Sequence, residues 1–430
     1  MARPRKNSPK PNTQELSLVP VEEQPYPLPE GWKWVRLGEI ITLISGRDAT
    51  IADCNDRGVG TPYILGASNL EGNSFSPERW IENPEVISLK NDILISVKGT
   101  IGKIYIQKEK SINISRQIMA IRPQNNVVLT FLYFFLASQS DSLKEKGNGL
   151  IPGVSRSIIL ELIFPLPPLD EQERIVTHIE SLFAKLDEAK EKAESVLESY
   201  ETRKAAILHK AFAGELTEKW REERGIEKES WKNVTVGEIC HDVKVGIVIK
   251  PSQYYTDQNQ GTPAFRSANV RENHIDNFDW VYLNSEGMTN NKRCIVHTGD
   301  VLVVRSGNPG TACVVTEEFD GYNAIDILIA VPDQSKVIPQ YLCSFTNSPL
   351  GKKSVAAGKR GMALAHFNVK GYSALTLELP TLPEQQEITR ILDSLLEKEQ
   401  QSKAAAEAVL EQIDLMKKAI LAKAFRGELG

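Results

Sequence analysis

Apolar residues recur on a four-three spacing through two long stretches of the chain. In residues 166–216 they are Ile175, Ile179, Leu182, Leu186, Ala189, Ala193, Val196, Tyr200 and Ile207, with Arg203 as the one polar interruption. In residues 380–430 they are Ile388, Leu392, Leu395, Ala406, Val409, Ile413, Met416 and Ile420, with Glu399 and Ser402 filling the remaining positions. A seven-residue repeat held this long is the seam of a coiled coil. The ends carry helix signals. Prolines precede each stretch, acids and glutamine fill the first turn where the dipole favours them, and Gly214 or Gly427 stops it. A helix from Asp170 to Phe212 spans roughly 65 Å at about 1.5 Å per residue. A lone helix of that length leaves its stripe in water, and its best partner in this chain is its own copy. Alanine and the two polar positions dilute the seam, which predicts close packing of modest stability.

Between and before these stretches the pattern changes to short β-branched runs broken by Gly-rich turns, as in Ile93-Leu94-Ile95 and Val301-Leu302-Val303-Val304. These read as strands. Residues 131–137 and 339–345 read as short helices packed under a sheet, and residues 158–164 and 374–379 as closing strands that feed the Pro-rich helix starts.

The chain repeats itself. Pro-Pro-Leu-Asp-Glu-Gln at 167–172 is answered by Pro-Thr-Leu-Pro-Glu-Gln at 380–385, and Lys-Ala-Phe-Ala-Gly-Glu-Leu at 210–216 by Lys-Ala-Phe-Arg-Gly-Glu-Leu at 423–429. Glu171 and Glu384 differ by 213 positions, as do Gly214 and Gly427. In the globular parts the offset drifts, from 199 between Trp32 and Trp231 to 200 between Asn69 and Asn269 and 208 between Asp92 and Asp300. Loop lengths differ there while the helices keep their length, as a ruler requires and a floppy spacer does not. The chain is therefore a duplicated globule-plus-helix unit. Its predicted parts are a disordered or extended tail over 1–28, a globule over 29–165, a helix and linker over 166–229, a second globule over 230–379 and a second helix over 380–430. The predicted fold is α+β: two mixed α/β globules joined by two long helices in an antiparallel coiled coil, with a pseudo-two-fold axis and the globules at opposite ends.

The 430 residues are too many for one ordinary core, and the 41% hydrophobic content is that of a soluble globular protein. The longest apolar run, near residues 131–136, is far too short to cross a bilayer. The basic N-terminus is followed by polar residues and prolines, so no secretory signal is read. Five scattered cysteines form no CxxC pair, which points to reduced thiols in a cytoplasm and against a zinc site. A net charge of −5 looks wrong for a nucleic-acid binder, whose affinity rests on phosphate neutralisation. The acidity is local: residues 170–229 carry 11 Lys+Arg against 16 Asp+Glu, residues 31–165 carry 15 against 13, and residues 230–379 carry 14 against 14. The globules are free to show basic faces.

Three pairs of matched positions are candidate DNA-facing loops. The first holds Ser68 and Asn69, answered by Arg266, Asn269 and Arg271. The second holds Lys98 and Lys103, answered by Arg305 and Asn308. The third holds Lys146 and Asn148, answered by Lys359 and Arg360, with His366 near it. Glycines in these turns let backbone approach a phosphate, Arg and Lys match guanine edges, and Asn matches adenine. The bland alternative is ordinary hairpin chemistry. Arg3, Arg5, Lys6 and Lys10 could touch phosphates, although a solvated tail is the simpler reading. Catalytic patterns are missing: no GxxxxGK[ST], no HExxH, no Rossmann fingerprint, and an Asn308-Pro309-Gly310 that lacks the second proline and aromatic used to hold a flipped base. His178 and His209 fall on the helices and read as packing or surface residues, and His241, His274, His297 and His366 show no ligand spacing.

Pro-Leu-Pro-Pro-Leu-Asp-Glu-Gln at 165–172, Ala-Phe-Ala-Gly-Glu-Leu at 211–216 with Trp220-Arg221 after it, and the copy at 423–429 resemble the specificity subunits of type I restriction–modification systems. The resemblance covers everything after residue 28. It implies two target-recognition domains, each reading one half of an asymmetric bipartite site in double-stranded DNA, and two helices that set the gap. It implies a non-catalytic chain on which two DNA-adenine methyltransferase subunits dock, joined by two ATP-dependent motor–nuclease subunits where the complex restricts. S-adenosylmethionine, ATP and magnesium then belong to those partners and not to this chain. Contact residues do not transfer, because the recognition domains vary within the family. Two rival readings stay open: a stand-alone DNA-modifying enzyme, which would methylate or cut DNA without partners, and a coiled-coil scaffold with no DNA role, which would bind without sequence preference or steep salt dependence.

Overall fold

In the computed structural model, which describes residues 16–71, 74–147, 153–357 and 368–429, the apolar runs lie at the centre of two-sheet sandwiches. The chain forms two compact units, one of residues 1–192 with 408–430 and the other of residues 193–407.

In the first unit Ile93–Ser96 is buried along its whole length, flanked by Ile104–Ile106 and Ile118–Pro123, with Ile41–Ser45 beyond, all antiparallel. Alternation explains why a continuous apolar run suits this strand. Ile93 and Ile95 face a helical layer that contains Phe131 and Phe135, while Leu94 faces the other way, toward Ile64, Ile112 and Ile114 of a second sheet. That sheet has the order Cys54–Asn55, Arg79–Ile81, Thr61–Ile64, Ser111–Ile114, Ile87–Leu89, with a parallel pairing of Thr61–Ile64 and Ser111–Ile114.

The second unit repeats the plan. Val301–Val304 lies between Ala312–Val314 and Ile327–Pro332, with Cys240–Val245 at the edge. Val301 and Val303 face Tyr341, Leu342 and Phe345, and Leu302 and Val304 face Phe265 of the second sheet. The parallel pair recurs as Thr262–Phe265 with Asn323–Ala324. The counterpart of Ile87–Leu89 is reduced to a single bridge, Ile295 with Asn323. Each unit is closed by its first and last strands: Lys33–Arg36 with Ile163–Leu166, and Lys232–Thr235 with Thr376–Leu379. The expected strand over 158–164 is thus helix in its first half, Arg156–Leu160, which Ser155 caps through its hydroxyl.

The two long helices are Leu169–Phe212 and Leu382–Arg426. Their repeated motifs have a mechanical account. Gln172 and Gln385 are fully buried. Gln172 accepts from Val128 N at 2.8 Å and donates to Pro167 O and Asn126 O; Gln385 accepts from Ile338 N at 2.9 Å and donates to Pro380 O and Lys336 O. Each glutamine ties the start of a long helix to the cap residue of the short helix under the sheet, Leu129–Ser138 or Pro339–Asn347. The closing motifs cross over. Phe425 stacks edge-on against Phe131 and Phe135 in the first unit, and Phe212 against Tyr341 and Phe345 in the second. Gly214 and Gly427 then adopt φ of +82° and +72°, the left-handed stop that glycine adopts without penalty.

Within each unit the helix segments run antiparallel. In the first, Arg174 donates to Leu429 O and Asp187 pairs with Lys417. In the second, Tyr200 donates to Gln400 at 3.0 Å and Arg203 pairs with Glu399 at 2.8 Å, so two of the three polar interruptions of the seam satisfy each other. The seam of the second helix departs from expectation. Ser402, Val409 and Met416 are exposed, and Lys403, Leu410 and Lys417 are the half-buried residues instead. The two lysines lie over aromatic rings, Lys403 over Tyr200 at 4.9 Å and Lys417 over Phe183 at 5.2 Å. A long lysine can cover an apolar surface with its stem while its head stays wet, which a polar-versus-apolar count misses.

Residues 16–28, expected as disordered or extended, are ordered and packed, with a short 3-10 turn at Val21–Glu23. Leu18 bridges Val35, Val19 is buried, and Tyr26 donates to Phe425 O at 3.0 Å and accepts from the Trp34 indole. In the second unit residues 217–231 fill the matching place. Arg221 and Glu384 pair at 2.7 Å with both side chains buried, and Thr217 and the Trp231 indole complete the carboxylate's bonds at 2.8 and 3.0 Å. The cysteines are free thiols, and burial pushes Cys240 and Cys313 up to about 12. No helix among the described residues is long and apolar enough to cross a membrane.

Candidate nucleic-acid interface

In the first unit the structure brings the first two loops singled out by sequence together where strands end at one edge of the sandwich. In the first unit Lys103 donates its ammonium to Ala67 O and Leu70 O, joining the second loop to the first. The third loop joins them through a bridge of Lys98 with Gly153 and a bond from Val154 N to Val97 O at 2.8 Å. Ser68, Lys98 and Lys146 are exposed along this edge. In the second unit Asn273 N donates to Ala312 O, and Glu272, just after the first loop, bonds Lys204 of the first long helix and Lys352. Burial works against the charge on Glu272, but the two ammoniums outweigh it and hold the carboxyl below its ordinary value.

Asn69 and Asn269 are buried. Asn69 accepts from Leu65 N and Gly66 N and donates to Ser76 O; Asn269 accepts from Arg266 N and donates to Asp276 O and Phe278 O. Their amides are committed to holding the turn and have no group left to offer a base in this conformation. The arginines of the second unit are latched: Arg266 to Asp279 at 2.8 Å, Arg271 to Asp276 at 2.7 Å and Arg305 to Asp326 at 2.7 Å. Asn308 is exposed. Asn148, Lys359, Arg360 and His366 lie outside the described residues, as do Arg3, Arg5, Lys6 and Lys10. His241, His274 and His297 each sit beside an aspartate on the surface, and among the described residues no group of three or more His, Cys, Asp or Glu is placed to hold a metal.

The sequence profile of the type I restriction modification DNA specificity domain matches residues 29–198 and again residues 228–412. This chain belongs to that family. Each match takes in one sandwich and most of one long helix, so the family's unit is the same unit that the internal repeat defines. The EcoKI specificity subunit of Escherichia coli strain K12 is 25% identical over 435 residues, which cover 94% of this chain and 90% of that one. The MjaVIII specificity subunit of Methanocaldococcus jannaschii is 25% identical over 423 residues, 94% of each chain. The crystal structure of the HsdS subunit from Thermoanaerobacter tengcongensis shares the fold with a TM-score of 0.65 at 22% identity, covering 94% of this chain and 99% of that one. A chain solved in work on complex assembly and conformational transition of the type I R-M system does so with a TM-score of 0.71 at 21% identity, covering 94% and 100%.

The sequence reading did not single out residues 115–117, which the structure places beside the first two loops of the first unit. Residues 115–117 cross between the two sheets there and carry Arg116 and Gln117, both exposed. The crossing sits between two strongly apolar runs, and that position, rather than glycine content, is the signal that would have found it.

Proposed function

We propose that this chain is the DNA-reading subunit of a type I restriction–modification complex, each sandwich taking one half of a bipartite asymmetric site. The observation that carries the reading is the duplication itself: two sandwiches with matching loop edges, each matched by the DNA specificity profile, on helices of 44 and 45 residues. A reader of two unlike half-sites needs two related but unlike heads, and here the sheets repeat while the loop chemistry differs. The helices would fix the separation of the half-sites, with centres about one turn of DNA apart, roughly 34–36 Å.

Catalysis would belong to partners. Two adenine methyltransferase subunits docked on this chain would bring S-adenosylmethionine, and two motor–nuclease subunits would bring the ATP and magnesium chemistry. The complex would work in the cytoplasm, where genomic DNA and the methyl donor are found. The test is to co-purify the complex, incubate it with DNA and methyl donor, and map methylated adenines. A motif in two blocks separated by an unread spacer is expected; a single contiguous block, or methylation by this chain alone, overturns the reading. Binding should also weaken steeply with salt, as phosphate contacts require.

A further inference from the structure

The crossing at residues 115–117 is the hub of the first unit's edge. Its backbone and the strand ends beside it are bonded to three neighbouring segments: Ser115 N donates to Ile64 O at 3.1 Å, Arg47 N to Ile114 O at 2.9 Å, Gly46 N to Ile118 O at 3.1 Å and Val97 N to Gln117 O at 2.8 Å. The Ser115 hydroxyl donates to Leu65 O at 2.6 Å and accepts from Gln117 N at 3.1 Å. The backbone is therefore fixed, while the Arg116 and Gln117 side chains stand at the surface. Arg116 is aimed by Asp48, whose carboxylate holds its Nε at 2.7 Å and leaves 69% of the side chain exposed. Gln117 stands between two glycines. A Cβ at Gly66 would come within 2.6 Å of its Oε1, and one at Gly99 within 3.8 Å. A side chain at Gly66 would displace the amide, whereas the 3.8 Å at Gly99 is ordinary contact. The amide and the guanidinium thus stand on consecutive residues of a rigid base, with exposed Ser68 and Lys98 on the loops bonded to it.

We propose that Arg116 and Gln117 read base edges in the major groove of one half-site, Gln117 matching an adenine and Arg116 a guanine, with Lys98 on the adjoining phosphates. An amide offers one donor and one acceptor, the complement of adenine N7 and N6, and a guanidinium offers two donors to guanine O6 and N7. The second unit supports the assignment by contrast. Its crossing is one residue shorter, at Ile325 and Asp326, with Asp326 at a φ of +50° and bonded to Arg305. The equivalent place there presents a different donor set, as a reader of a different half-site must.

The proposal rests on the DNA-reading function above, and one experiment separates the two. The complex carrying wild-type chain, Gln117→Ala, Gln117→Glu or Arg116→Ala selects duplexes from a randomised DNA library, and the bound sequences are read. Wild type should give a two-block motif. Each alanine variant should lose discrimination at one base pair of one block, roughly 5- to 150-fold, with the other block unchanged as proof of folding. Gln117→Glu should move the preference from adenine toward cytosine, whose N4 amine suits a carboxylate. A two-block motif unaltered by all three variants overturns this assignment and leaves the function standing. No motif from wild type overturns both.

Discussion

Two glutamates at matched positions behave differently. Glu384 is buried against Arg221, Thr217 and Trp231, whereas Glu171, its counterpart 213 positions earlier, pairs with neighbouring Arg174 near the surface. Removing one member of a buried ion pair leaves the other charge stranded, at a cost of about 3–5 kcal/mol, while an exposed pair within one helix turn contributes under about 1 kcal/mol. Glu384→Gln should therefore open the second unit measurably in amide hydrogen exchange, and Glu171→Gln should leave the first unit nearly unchanged. The sequence shows the two as one motif, because the partners of Glu384 come from residues 217–231, more than 150 positions away in the chain. Glu272 adds a pH test. Its carboxyl lies below its ordinary value of 4.5, so its contribution is complete above that pH and disappears as pH falls through the lower, folded value. Glu272→Gln should cost about 1–2 kcal/mol near neutrality and nothing in strong acid, read as a difference in opening free energy that closes below pH 4.5.

Elements were legible in proportion to how local their causes are. The long helices, their antiparallel pairing within each unit and the buried central strands follow from periodicity and from stop signals such as Gly214 and Gly427. The loop edge was found from glycines and basic residues, but the sequence could not show that Asn69 and Asn269 turn inward, nor that Arg266, Arg271 and Arg305 are held by aspartates distant in the chain. The seam of the second helix shows the same limit. Hydropathy favours Val409 and Met416, yet the facing helix half-buries Leu410 and lies under Lys403 and Lys417 with the rings of Tyr200 and Phe183. Val409→Gln and Met416→Gln should each change stability by no more than about 0.5 kcal/mol, as exposed substitutions do. Leu410→Gln should cost more, about 1–3 kcal/mol, through lost burial and a polar group placed in the seam. Hydrogen exchange along both helices would rank the three, and equal effects would put the seam back where hydropathy sets it.

At the scale of the molecule, the two closing arrangements differ in origin but not in effect: residues 16–28 close the first unit over Phe425, and residues 217–231 close the second over Glu384. Each unit thus takes the opening of one long helix and the end of the other, and neither helix can change length alone without displacing a closing motif. That constraint makes the proposed ruler testable. A heptad is the smallest deletion that keeps a seam in phase, and it shortens a helix by about 10.5 Å. Removing seven residues between Asp187 and Arg203, together with seven between Glu399 and Lys417, keeps both flanking ion pairs able to form. At 3.4 Å per base pair, such a complex should methylate a motif with both half-sites unchanged and a spacer shorter by at most about three base pairs. The same deletion in one helix only would slide one pair out of register by two turns, so Asp187–Lys417 and Arg203–Glu399 could not both form, and specific methylation should be lost. A spacer that keeps its length after the matched deletion would mean that something other than the helices sets the gap.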